Sequence, residues 1–188
     1  MIVRKFPTFL LFAGTLATIG GVGLAASDKN TIRVPDGLGF ADFKGYESWE
    51  VVSVAAVDPT ESVMGGDSGT VLNVIMANPT MIEAYKKGVP ANGTKFPDGS
   101  KIAKIQWKAT KDADSPFSVS VPNALRNVAF IEKDSKRFEA SGGWGYANFN
   151  YDAASDSFAP DGKGFDCGFA CHSAVEAKDY IFHAYQKR

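Results

Sequence analysis

The sequence predicts an α+β fold, mainly an antiparallel β-sheet with a few short helices and a helix at the C-terminal end. Three observations predict it: short β-branched apolar runs recur along the chain, helical signals are confined to brief stretches, and no repeat or low-complexity tract is present. At 188 residues, 45% hydrophobic and 12% aromatic, the chain has the length of one domain, or of one domain plus a removable leader, and enough apolar material for a core.

Residues 28 to 42 are turn-rich, with Val34-Pro35-Asp36-Gly37 as loop chemistry, and read as an entry segment. Trp49 to Val57 and Thr70 to Ala77 are apolar and short enough for core strands. The period then changes: Asn78 can cap a helix, Pro79 suits its first position, and Gly88 suits the left-handed residue beyond its end. Lys101 to Lys108 alternates, placing Ala103, Ile105 and Trp107 on one face and Ile102, Lys104, Gln106 and Lys108 on the other. Ala124 to Ile131 and Trp144 to Tyr151 are further strands, with Asp134 capping a short helix through Lys136, Arg137 and Phe138. Ser173 to Tyr185 reads as the C-terminal helix.

The formal charge is -1 with no long run of either sign, which argues against nucleic acid and against a polybasic membrane contact. The N-terminus has a basic start, an uncharged apolar stretch and small residues before a polar segment, the pattern of a secretory signal peptide over residues 1–25, cleaved after Ala25 or Ala26. A retained anchor of about 20 apolar residues is the competing reading, weakened by the helix-poor Gly20-Gly21-Val22-Gly23. The chain then divides into an entry segment over 26–45 and one domain over 46–188.

Residues 167–172, Cys-Gly-Phe-Ala-Cys-His, form C-x-x-C-H, the attachment signature of c-type haem. Two thiols at this spacing add to two vinyl groups along one haem edge, and the adjacent imidazole reaches the iron. Cys167 and Cys171 are the two cysteines of the chain, so cofactor binding falls to Cys167, Cys171 and His172, with His172 the metal ligand of one haem c. A thioredoxin-like pair wants a βαβ setting, a zinc site wants more soft donors, and a disulfide here closes too small a loop to stabilise much. On a continuous C-terminal helix His183 lies about 16 Å from His172 and cannot share its iron. Met64, Met76, Met81, a lysine, water or nothing remain for the sixth position. A methionine there, Met76 first, makes a six-coordinate electron-transfer cytochrome; an open position admits small molecules, and the strand- and helix-like settings of the methionines favour the open site.

The segments FPDGSKIAKIQWK, EKDSKRF, GGWGYANFNYD and CGFACHSAVEAKDY, in this order, resemble the cytochrome P460 family, which includes the cytochromes c′-β, from about Tyr46 to Arg188. The resemblance implies a sheet-rich periplasmic haem protein, a homodimer, with a five-coordinate haem c near the C-terminus. In its hydroxylamine-oxidising members a lysine after the F-x-D-G turn is bonded to a haem meso carbon, and the matching position is Lys104, which the resemblance therefore implies as a catalytic and cofactor-binding residue. By alternation alone Lys104 can equally be a solvent-facing strand lysine. Those members carry an arginine where this chain has Asn73, a departure that counts against hydroxylamine turnover; the c′-β members bind nitric oxide in an apolar pocket, for which Phe96, Phe130 and Phe149 are candidates. Asp161 and Asp166 are the acids near the motif in sequence. The expected function is binding or oxidation of a small nitrogen species, hydroxylamine or nitric oxide, with electrons passing to a redox partner protein.

Overall fold

The computed structural model describes residues 28–35, 37–62 and 69–188; the expected leader, Asp36 of the entry turn and Met64 lie outside the described residues. Six antiparallel strands form one sheet in sequence order: β1 (Glu50–Val57), β2 (Val71–Ala77), β3 (Lys101–Lys111), β4 (Ser120–Lys133), β5 (Trp144–Asp152) and β6 (Ser157–Pro160). Each strand pairs with its sequence neighbour, α1 lying in the connection between β2 and β3, and the alternation of each strand decides which side chains share a face.

Ala77, Ile102, Ile131 and Tyr146 stand in one cross-strand row, and Ile75, Lys104, Ala129 and Asn148 in the next row of the same face. This upper face is covered by α1 (Pro79–Lys86), by Phe96 and by the C-terminal region, around a core that includes Met81, Tyr85, Trp144, Tyr180 and Ile181. The lower face carries Met76, Ala103, Val128, Phe130, Ala147 and Phe149. Val34, Leu38, Phe40, Phe43 and Tyr46 cover it, so the entry segment is part of the core. Phe130 is the centre of that cover, stacked on Phe43 at 4.2 Å and edge-on to Phe40 at 5.1 Å.

α1 forms where its caps predict. Asn78 accepts from the Met81 amide at 3.2 Å, Pro79 takes the first position, and Gly88 adopts φ +89° after the last turn. The Asn78 carboxamide also accepts from Lys101 N (3.0 Å) and donates to Gly99 O (2.8 Å), tying α1 to the start of β3. Asn78→Ala is therefore expected to cost about 2 kcal/mol, the upper part of the capping range, read as a lowered denaturant midpoint with unchanged slope.

Three elements differ from expectation. The β3–β4 hairpin is longer, because two register shifts accommodate Pro122 opposite Ala109 without breaking the ladder. Asp134 does accept from Lys136 N and Arg137 N, but it holds a turn rather than a helix; the short 3₁₀ helix Glu139–Ser141 follows. The C-terminal helix over Ser173–Tyr185 does not form. The helix lies earlier, as α2 (Gly164–His172), followed by a 3₁₀ stretch Ser173–Lys178; Asp179 (φ 50°) and Tyr180 (φ 63°) then turn left-handed and end it.

Candidate haem-binding site

The whole C-x-x-C-H motif lies in α2, with Asp166 in the first turn, where the helix dipole favours a carboxylate, and His172 in the last. Cys167 and Cys171 are four residues apart on one side of the helix, about 5–6 Å between Cβ atoms, and both are free and exposed. The adjoining side rests directly on β5. A Cβ at Gly164 would stand 2.8 Å from the Asn148 amide nitrogen, and one at Gly168 2.8 Å from Tyr146 Cβ, so two glycines one turn apart allow this approach. Phe165 and Phe169 pack against the upper core beside them.

His172 is held in one tautomer. Its Nδ1 lies 2.5 Å from the Tyr180 carbonyl oxygen, which can only accept, so Nδ1 carries the proton and Nε2 keeps its lone pair for a metal. The ring is wedged between Tyr146 (centroids 5.1 Å) and the edge of Phe182 (5.0 Å). Burial lowers the imidazole pKa, and the charges of Lys104 and His183 add to that, while the Tyr180 contact opposes it. The neutral form is the one that binds iron.

Lys104 belongs to the same face as the motif. It is half-buried beside Ile75 and Ala129, two strands from the Asn148 on which α2 begins. Desolvation lowers its pKa, with Cys171 acting in the other direction, so its ammonium lies within electrostatic reach of the second cysteine. The same lysine lowers the pKa of His172 and, after burial, that of His183. The solvent-facing alternative for Lys104 is thus replaced by a position on the covered face. A lysine pushed toward its neutral form is also the more nucleophilic one.

One further row of this face was not read from the sequence as a unit. Beyond Lys104 come Asn73, Gln106, Asn127 and Asn150 in register. Asn73 and Gln106 are buried and joined by a 2.8 Å bond from Gln106 Nε2 to Asn73 Oδ1, while Asn127 Oδ1 is buried without a partner among the described residues. Amides in strands otherwise rich in β-branched residues were the available signal. Lys133, Asp179 and Tyr180, which hold the turn behind His172, left no local signal at all.

Several expected positions move. His183 is not on a helix: residues 181–188 have no regular structure and fold back, bringing His183 within electrostatic reach of Lys104 and His172, so a helical separation from His172 no longer applies. Met76 is 5% exposed on the lower face with Ala103 and Val128, and the sheet separates it from His172; it cannot be the sixth ligand in this fold. Met81, on the inner side of α1, is fully buried in the upper core. Phe130 and Phe149 also belong to the lower face, and Phe96 packs on Tyr85 and Trp144, so the three do not form a pocket. Asp161 caps Lys163 N and reaches Asn148, and Asp166 is exposed on α2; neither is among the charges acting on His172, Lys104 or His183.

The residues fit a haem. Phe182, 46% exposed, packs on the His172 ring with centroids 5.0 Å apart, two exposed thiols lie one turn apart on the helix that His172 ends, and the small Ala129 pairs with Lys104 across the strands. Among the described residues no set of three or more His, Cys, Asp or Glu side chains could hold a free metal ion.

Compared with curated proteins, the chain has no match. The family model for cytochrome P460 matches residues 43–183, a span that contains the whole sheet, Lys104 and the C-x-x-C-H helix. With most of its length so matched, the chain belongs to the cytochrome P460 family and is a haem-binding cytochrome.

Proposed function

We propose that the chain is an exported, periplasmic cytochrome carrying one haem c, with an open iron position that takes a small nitrogen ligand, nitric oxide or hydroxylamine. Cys167 and Cys171 carry the two thioether bonds and His172 binds the iron through Nε2. The observation that supports this best is the fixed tautomer of His172, which ends the helix that carries the two exposed thiols. A bound haem supplies the iron that holds the ligand and the redox couple that exchanges electrons with it.

The open position is supported by the placement of Met76 behind the sheet and Met81 in the core. What this chain's residues do around it favours binding over turnover. Asn73 stands where the oxidising relatives have an arginine and is engaged by Gln106, so no cation orients hydroxylamine there. The nearby acids Asp161 and Asp166 are not among the charges acting on the site, so neither is placed to take protons from a substrate. Reversible nitric oxide binding is therefore the favoured activity, with a redox partner setting the iron's oxidation state and a second copy of the chain completing a homodimer.

Lys104→Ala decides between the two nitrogen chemistries. Intact mass and absorption spectra of periplasmically matured protein are expected to show one haem and an ordinary haem c Soret band in both wild type and variant. A red-shifted band in the reduced wild type that disappears on substitution would establish a bond from Lys104 to haem and move hydroxylamine oxidation to the front. Steady-state assays with hydroxylamine and an artificial acceptor then measure turnover directly.

A further inference from the structure

We infer that the buried Lys133–Asp179 ion pair is a positioning device for His172: it holds the left-handed turn that aims the Tyr180 carbonyl at His172 Nδ1, and through that bond it tunes the ligand. The inference rests on the haem reading of His172 above and adds two positioning residues to it.

The pair is among the most enclosed polar features of the fold. Lys133 Nζ and Asp179 Oδ1 are 2.8 Å apart, with the side chains 4% and 2% exposed. Lys133 also donates to the Gly142 carbonyl at 2.8 Å and lies 4.9 Å above the Trp144 ring. The second oxygen of Asp179 accepts from the Phe96 amide at 2.8 Å, so both carboxylate oxygens are committed to fixed parts of the core. One end of this network is β4, the longest strand of the sheet; the other is the residue immediately before Tyr180.

The backbone there needs holding. Asp179 and Tyr180 have φ of 50° and 63°, and a left-handed aromatic residue is disfavoured without surrounding constraint. Asp179 N bonds Glu176 O at 2.8 Å and Tyr180 N bonds Val175 O at 3.1 Å, which closes the turn locally. The Tyr180 ring presses on Gly142, where a Cβ would come within 2.2 Å of it. The turn is thus pinned by the ion pair on one residue and by ring packing on the next, and its product is the 2.5 Å contact to His172.

A pair serving stability alone could be replaced by apolar side chains of similar volume without consequence for the ligand. Here the acceptor it positions withdraws the Nδ1 proton toward oxygen. That makes Nε2 a stronger donor and favours ferric iron, so loosening the turn has a signed electronic consequence.

The test uses the full-length holoprotein, with Asp179→Asn and the double variant Lys133→Met/Asp179→Asn. Asparagine tolerates the left-handed backbone, and the double variant leaves no unpaired buried charge, so it keeps the test alive if the single one does not fold. Expected are retained haem mass, a raised reduction potential equivalent to about a tenfold rise in the ferrous-to-ferric ratio at fixed solution potential, and a lowered iron–histidine stretching frequency. Val128→Ala, on the far face, controls for lost stability and is expected to move neither readout. Wild-type values in the folded double variant, or equal shifts in Val128→Ala, would overturn the inference. If wild type carries no haem, the functional reading falls instead. The turn is then tested in that same chain by the imidazole ¹⁵N shifts: His172 protonated on Nδ1 in wild type and mixed in the variants supports it, and unchanged tautomers reject it.

Discussion

Replacing both Cys167 and Cys171 by serine is expected to leave the chain without covalently held haem: intact mass drops by one haem per chain, and no haem band follows the protein through denaturing electrophoresis. Serine keeps the size and exposure of each side chain on α2 but cannot form a thioether. Because both cysteines are exposed and α2 packs through Gly164 and Gly168, the substitution leaves the sheet contacts of the helix intact. Thermal midpoints of wild-type chain prepared without haem and of the double variant should therefore agree. Single variants should each hold haem by one bond, with His172 still available. Haem retained covalently by the double serine variant would point to a different attachment residue, Lys104 first, and a wild type without covalent haem would remove the haem c proposal altogether.

The second large effect is expected from Gly164→Ala combined with Gly168→Ala. Each added methyl would meet an atom at 2.8 Å, the Asn148 backbone nitrogen in one case and the base of the Tyr146 side chain in the other. Neither neighbour is a flexible side-chain end, so α2 must lift from β5. Overpacking costs about 1–3 kcal/mol per site. The better helix propensity of alanine returns up to about 1 kcal/mol each. Overpacking wins, with a net loss of about 2 kcal/mol for the pair, measured by denaturant unfolding. The functional consequence exceeds the energetic one: lifting α2 moves His172 away from the Tyr180 carbonyl, so the yield of haem-loaded protein should fall more than stability alone requires. A double variant as stable and as fully loaded as wild type would show that the helix does not need this close approach.

Both expectations depend on α2, and α2 is where sequence and structure part most clearly. Its chemistry was legible, because C-x-x-C-H is read from consecutive residues. Its boundaries were not. The stretch after His172 has the composition of a helix, yet the left-handed Asp179 and Tyr180 end it, and what holds Asp179 is a lysine 46 residues earlier. No local pattern announces a buried ion pair whose partners lie on β4 and in a C-terminal turn. The same non-local contact explains the wrong placement of His183, which a helix would have carried away and an irregular segment brings back.

By itself the sequence determined the α+β class, the positions of β1, β2, β3 and β5, the capped helix α1 and the haem motif, because each depends on residues within one turn or one strand. Alternation along β3 also separated Lys104 and Gln106 from Ala103 and Ile105. Only the tertiary structure decided which of those faces meets the motif. A strand's period assigns residues to two sides without saying which side a distant helix will cover. That choice follows from the two glycines that let α2 lie on Tyr146 and Asn148. It also follows from the aromatic entry segment, whose Phe40, Phe43 and Tyr46 occupy the other side around Phe130 and leave the face of Lys104 to the C-terminal region.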